Sequence, residues 1–170
     1  GKALKKFDLP DAAAAQKALD AVKLGGYSVK SVEAKPVKRN PPPPFITSTL
    51  QQDASRKLGF AAKRTMQAAQ KLYEEGRITY MRTDSTRISN EALEETRKYI
   101  VEKFGKGYLP TKPHVYKTQK SAQEAHEAVR PTSIKRGPKN IKQFLSRDQF
   151  RLYQLIWERF VASQINPAIY

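Results

Sequence analysis

Four consecutive prolines, Pro41-Pro42-Pro43-Pro44, constrain this chain more than any other feature. Proline fixes φ and lacks an amide hydrogen, so neither a helix interior nor a central strand runs through such a block. A stiff, extended linker forms instead. The sequence therefore predicts a domain boundary at Arg39-Asn40-Pro41-Pro42-Pro43-Pro44, with structure on either side. Before it, residues 11–24 are alanine-rich and helical by propensity, and Gly25-Gly26 ends them. Residues 27–38 alternate, with Tyr27, Val29 and Ser31 on one face and Ser28, Lys30 and Val32 on the other, which predicts a strand. The chain opens without an initiator methionine and closes on Pro167-Ala168-Ile169-Tyr170, which reads as the start of a strand. The expectation is a piece cut from a longer protein.

After the prolines the pattern turns helical. Thr49-Leu50-Gln51-Gln52 has the form of a capping box, opening a helix over 50–57. Leu58-Gly59-Phe60-Ala61 makes a short turn, and a second helix runs over 61–75 until Gly76. Arg56, Lys57, Lys63, Arg64 and Lys71 line this helix-turn-helix. An ordinary αα-hairpin that binds nothing has the same pattern, so the motif alone decides little. Arg77-Ile78-Thr79-Tyr80-Met81-Arg82-Thr83-Asp84-Ser85-Thr86 follows with strand character, where a wing would lie in a winged helix. A further helix over 90–103 is amphipathic through Leu93, Tyr99 and Ile100, and 104–120 read as loop. Ser121-Ala122-Gln123-Glu124 is a second capping box, opening a short helix that Pro131 stops. The last helix, over 147–165, carries Phe150, Tyr153, Leu155, Ile156, Trp157, Phe160 and Val161 as core residues. The fold class is mainly α, with a short strand bearing Tyr80 and a small α/β piece over residues 1–38.

Charge narrows the partners. The 32 Lys and Arg outnumber 16 Asp and Glu, for a net charge of +16. Such an excess points to a polyanion, nucleic acid first, against the plainer reading of a solvated basic surface. Residues 101–140 hold nine Lys or Arg against three acids, a plausible backbone-contacting stretch. With no cysteine there is no disulfide framework or thiolate metal site. No apolar run approaches the roughly 18 residues of a membrane span. The N-terminus has no signal-peptide core, so the expected compartment is the cytoplasm.

The chemistry centres on Tyr80 and Arg82. In an extended segment, residues two apart face the same side, which sets a phenol beside a guanidinium. A phenol with a pKa of about 10 is almost wholly protonated near neutral pH. Nearby cations lower that pKa and stabilise charge building on phosphorus. Arginine's planar fork matches phosphate oxygens. On the predicted short helix His126 and Arg130 are four apart and would share a face. Asp84 is placed to orient Arg82 or His126. Glu74-Glu75 and Glu94-Glu95 are adjacent helix residues that diverge, so no compact Mg²⁺ site is expected. His114 lies in a loop, and no His or Cys cluster suggests zinc.

Three separated stretches, in order, resemble motifs of the bacterial type IA DNA topoisomerases. They are Pro44-Phe45-Ile46-Thr47-Ser48-Thr49-Leu50-Gln51-Gln52, Ile78-Thr79-Tyr80-Met81-Arg82-Thr83-Asp84-Ser85 and Ala125-His126-Glu127-Ala128-Val129-Arg130-Pro131-Thr132. The resemblance covers residues 27–170. It implies an ATP-independent isomerase that cuts one DNA strand through a 5′-phosphotyrosine link, passes the other strand and reseals, relaxing negative supercoils. Tyr80 would be the nucleophile and Arg82 the phosphate clamp. His126 and Arg130 would contact the DNA backbone, and Gln70, Tyr73 and Glu74 would line the single-strand site. The resemblance implies a winged-helix domain like that of the catabolite activator over 39–166. It assigns 1–38 to a neighbouring arch domain and 167–170 to its return strand. Mg²⁺ would serve the parent enzyme through acids of a separate Toprim domain, with no metal bound by this chain. The expected partners are single-stranded or negatively supercoiled DNA and that Toprim domain. No membrane is expected, and the unpartnered strand before the prolines is open to self-association. The chain alone is expected to be inactive.

Two other classes compete. A non-catalytic winged-helix module explains the charge but leaves Tyr80, Arg82 and His126 without a purpose. Tyrosine recombinases and type IB enzymes also use Tyr, Arg and His on phosphate. They place the tyrosine last in sequence, whereas Tyr80 precedes His126 and Arg130.

Overall fold

The computed structural model describes Lys5, residues 8–116 and residues 126–170. They fall into two compact units, 1–36 and 37–170. In the first, α1 (Ala12–Leu24) begins at Asp11, whose carboxylate accepts from the amide of Ala14 at 2.7 Å, and ends at Gly25. None of its residues is buried. The strand predicted over 27–38 does not form there: residues 26–37 carry no helix or strand, and only the final Lys38 joins a ladder. Alternation is not enough without a neighbouring strand to take the backbone hydrogen bonds.

The second unit is helical around one main core. The elements are β1 (Lys38–Arg39), α2 (Thr47–Leu58), α3 (Ala62–Glu74), α4 (Asn90–Phe104), α5 (Pro138–Ile141), α6 (Arg147–Ala162) and β2 (Ala168–Ile169). Antiparallel β1 and β2 pair Lys38 with Ile169 and Arg39 with Ala168, so the strand expected at 167–170 is present. The helix-turn-helix forms as α2–α3, with Gly59 at φ +69° closing α2 in the left-handed region that glycine enters freely. α2 starts earlier than expected. The hydroxyl of Thr49 reaches back to accept from the amide of Ile46 at 3.1 Å, so Thr49 sits inside the first turn and not before it. α3, α4 and α6 match their expected spans to within a few residues, α6 ending at Ala162 short of 165.

α3 packs on α2 and α6, burying Leu50, Ala54, Ala69, Leu72, Leu152 and Ile156. Phe45, Ile78, Met81 and Val129 complete this core from non-helical segments. A smaller cluster of Ile100, Ile134, Phe160 and Val161 seats α4 against α6. Trp157 lies between the clusters, edge-on to Tyr99 at 5.7 Å, with its indole N–H donated to the carbonyl of Ile134 at 3.0 Å. It is structural, as read.

The prolines are part of this unit. Arg159 donates to the carbonyl of Pro43, stacks over Phe45 at 4.4 Å and pairs with Asp53. The side chain of Asp53 is 10% exposed and also meets Arg56 and Lys57. Removing it leaves Arg159, 16% exposed, without its carboxylate. The Asp53→Ala variant is therefore expected to lose about 3–5 kcal/mol in urea unfolding. A change below about 1 kcal/mol would show that the pair is solvent-screened.

Candidate active site

Tyr80 lies in no strand, contrary to the sequence reading. Residues 77–86 make an isolated antiparallel bridge, Ile78 with Pro131. The rest of the segment is held by two threonines. Before Tyr80, Thr79 donates its hydroxyl to the carbonyl of Ala128 at 2.7 Å, accepts from the amide of Arg130 at 2.9 Å and gives its own amide to the carbonyl of Arg130. After Tyr80, Thr47 in the first turn of α2 donates its hydroxyl to the carbonyl of Met81 at 2.7 Å and accepts from the amide of Thr83 at 2.9 Å. Side-chain hydroxyls thus add to the few backbone bonds, from the amides of Thr47, Thr79 and Thr132, that stand in for a full ladder. The segment stays extended enough to alternate: Met81, Thr83 and Ser85 are buried, and Tyr80, Arg82 and Asp84 are exposed. Tyr80 and Arg82 are both exposed, but the backbone bends at Thr79, Met81 and Arg82, so regular strand spacing does not set them on one face.

Tyr80 is 43% exposed and meets Tyr73, 41% exposed, edge to face at 5.2 Å. Its hydroxyl has no partner among the described residues. Two other tyrosines differ. Tyr116 and Tyr153 donate to the carbonyls of Ser163 and Arg136, and burial pushes each phenol up to about 12. They are structural groups.

Arg82 is exposed and, among the described residues, forms no ion pair. It lies where two clefts meet. One is lined by Thr47, Ser48, Asp84 and His126; the other runs along α3 past Gln70 and Glu74. Gln70 and Glu74 are joined by a 2.7 Å hydrogen bond. The structure therefore gathers Tyr80, Tyr73, Arg82, Asp84, His126, Gln70 and Glu74 around one exposed segment. Asp84 shares a cleft with Arg82 and His126, but no hydrogen bond or ion pair joins it to either.

Arg130 is the exception. The short helix was expected to end at 130; its start, over 121–125, lies outside the described residues, and 126–130 are not helical. Pro131 explains this, because a proline drives the residue before it out of the α region. Val129 bridges to Phe45 instead, so His126 and Arg130 share no helix face. The guanidinium of Arg130, 12% exposed, pairs with Glu127 at 2.6 Å and donates to the carbonyl of Pro131 at 3.0 Å. The other oxygen of Glu127 accepts from the amide of Ser89, the N-cap of α4, at 2.6 Å. Thr47, Thr79 and Glu127 hold the site and were not singled out from sequence. Their only signal was membership in the three matched stretches.

Magnesium does not fit the residues present. Asp84 is the one acid lining its cleft, flanked by cationic Arg82 and by His126, and an oxygen of Glu74 is already taken by Gln70. Among the described residues no three His, Cys, Asp or Glu side chains could hold a metal ion. None of their helices is long and apolar enough to cross a membrane.

Known proteins similar to this helical chain are DNA topoisomerases. The family model described as DNA topoisomerase matches residues 1–170. Full-length topoisomerase I from Thermotoga maritima superposes with a TM-score of 0.74 at 40% identity, over 98% of this chain and 27% of that one. DNA topoisomerase 1 of Xylella fastidiosa is 52% identical over 99% of this chain and 22% of its own length. The Rickettsia prowazekii enzyme is 49% identical over 98% of this chain and 23% of its own length. That of Haemophilus influenzae is 51% identical over 98% of this chain and 19% of its own length. This chain belongs to the bacterial type IA DNA topoisomerase I family. It spans about a fifth of the length of these relatives.

Proposed function

We propose that the chain supplies the nucleophile side of a type IA topoisomerase active site. The Tyr80 oxygen attacks a DNA backbone phosphorus. The Tyr80 O–P bond forms as the bond to the 3′ oxygen breaks, and the phenol proton is lost as the departing oxygen gains one. The product is a 5′-phosphotyrosine and a free 3′-hydroxyl. The reverse step reseals the strand, so no energy source is consumed. Arg82 holds the phosphate and opposes the charge that grows on its oxygens. His126 reaches the adjoining backbone from the same cleft, while Gln70, Tyr73 and Glu74 border the strand on α3. Arg130 acts at one remove, fixing the 126–132 segment through Glu127. Magnesium acids belong to a Toprim domain elsewhere in the parent, where relaxation of negative supercoils takes place in the cytoplasm. Residues 39–166 are the tyrosine domain, winged-helix-like in its α2–α3 hairpin, and residues 1–38 part of an arch domain.

The observation that carries this reading is the pair of threonine clamps on either side of an exposed tyrosine whose hydroxyl is free. A module that only binds DNA has no need to hold one phenol open between two backbone locks. Mixing the chain with a separately purified Toprim-containing piece and magnesium is expected to restore cleavage of a single-stranded oligonucleotide. The chain alone is expected to bind weakly, less so as salt rises, and not to cut. Cutting by the purified chain alone would overturn the divided site.

A further inference from the structure

The cleft along α3 does not stop at Gln70. It shares Gln67 and Lys71 with a third cleft, closed on its far side by Arg147 at the start of α6. Lys63, Gln67 and Lys71 are spaced four apart, so they form one stripe along α3, about 12 Å from end to end. The start of α6 is fastened to α3 at two places. Arg64 meets both carboxylate oxygens of Asp148 at 2.7 Å, and Gln149 donates to Glu75 at 2.7 Å. These bonds hold Arg147 across the cleft from Lys71. The acid of this cleft, Asp148, is thus neutralised by Arg64. Lys63, Lys71 and Arg147 are exposed and form no ion pair among the described residues. Asp148 is held by Arg64, with Arg147 near enough to favour its charged form, and Glu74 is the other acid along the clefts. Lys63, Lys71, Arg147 and Arg82 outnumber them, the pattern expected where a polyanion lies.

We infer that the solvent face of α3, with Arg147, is a track for the phosphates of single-stranded DNA leading away from Arg82. This rests on the proposed function for its starting point, and adds Lys63, Lys71 and Arg147 as phosphate contacts beyond the residues around Tyr80. A solvated basic face is the alternative.

Salt dependence separates the two. For single strands the slope of log K against log[salt] is about −0.7 per neutralised phosphate. In the full-length enzyme, the triple variant Lys63→Gln, Lys71→Gln, Arg147→Gln is expected to reduce the slope for a single-stranded oligonucleotide by about 2. A control triple in the first unit, Lys17→Gln, Lys23→Gln, Lys30→Gln, removes the same charge from exposed positions and is expected to leave the slope within about half a unit. Equal slopes for the track variant and the unsubstituted enzyme, or equal losses for both triples, would overturn the track. Covalent adducts on Tyr80 are read in parallel in the unsubstituted enzyme. Adducts without a slope change remove the track alone; a slope change without adducts removes the Tyr80 reading and leaves the track.

Discussion

Replacing Tyr80 with Phe in the full-length enzyme is expected to abolish covalent DNA adducts while leaving the protein as stable as before. The structure explains why the two outcomes separate. The ring of Tyr80 touches Tyr73 at 5.2 Å, and phenylalanine keeps that contact. The hydroxyl it deletes has no partner among the described residues, so no hydrogen bond is lost. Stability should stay within about 0.5 kcal/mol in urea unfolding, the range of neutral surface changes. Single-stranded DNA binding should persist, because the surrounding cations are intact. Adduct formation, followed by gel shift after denaturation, should fall to background. A destabilised variant would mean that the hydroxyl is structural and that loss of adducts proves nothing about the nucleophile.

Arg82→Ala is expected to cost about 10²–10³-fold in the rate of strand cleavage, the usual effect of removing one donor from a developing oxyanion. Arg82 makes no ion pair among the described residues, so the melting temperature should barely move. Arg82→Lys keeps the charge but loses the planar fork, and should fall between the two. Cleavage by Arg82→Ala at the unsubstituted rate would remove Arg82 from the phosphate and leave Tyr80 without its nearest cation in sequence.

The longer helices were legible in the sequence because their signals are local, whereas the four-residue α5 was not read. Asp11 and Gly25 bracket α1, Gly59 separates α2 from α3, and Ser89 caps α4, each within a few residues of what it controls. The candidate residues Tyr80, Arg82, Asp84, His126 and Arg130 were picked out from two of the three matched stretches. How the three stretches meet was not legible. Phe45 pairs with Val129, and Ile78 with Pro131, across separations that no periodicity encodes. Two misreadings share that cause. The Tyr80 segment alternates like a strand, but only the single bridge of Ile78 with Pro131 forms, and the hydroxyls of Thr47 and Thr79 supplement a few backbone bonds in place of a full ladder. Pro131 was read as the stop of a helix, although the restriction it places on Arg130 equally suits the extended run that formed. Arg130 then turned inward to Glu127, leaving His126 to face the cleft without it.

The central claim is that Tyr80, held open between two threonine clamps, is the residue that becomes joined to DNA. Trapping the covalent complex of the full-length enzyme, digesting both components and mapping the modified peptide tests it directly. The account predicts a peptide spanning 78–82 with the DNA 5′-phosphate on Tyr80 and a free 3′-hydroxyl on the other end. A link to neighbouring Tyr73, or a link through the 3′-phosphate, would contradict it.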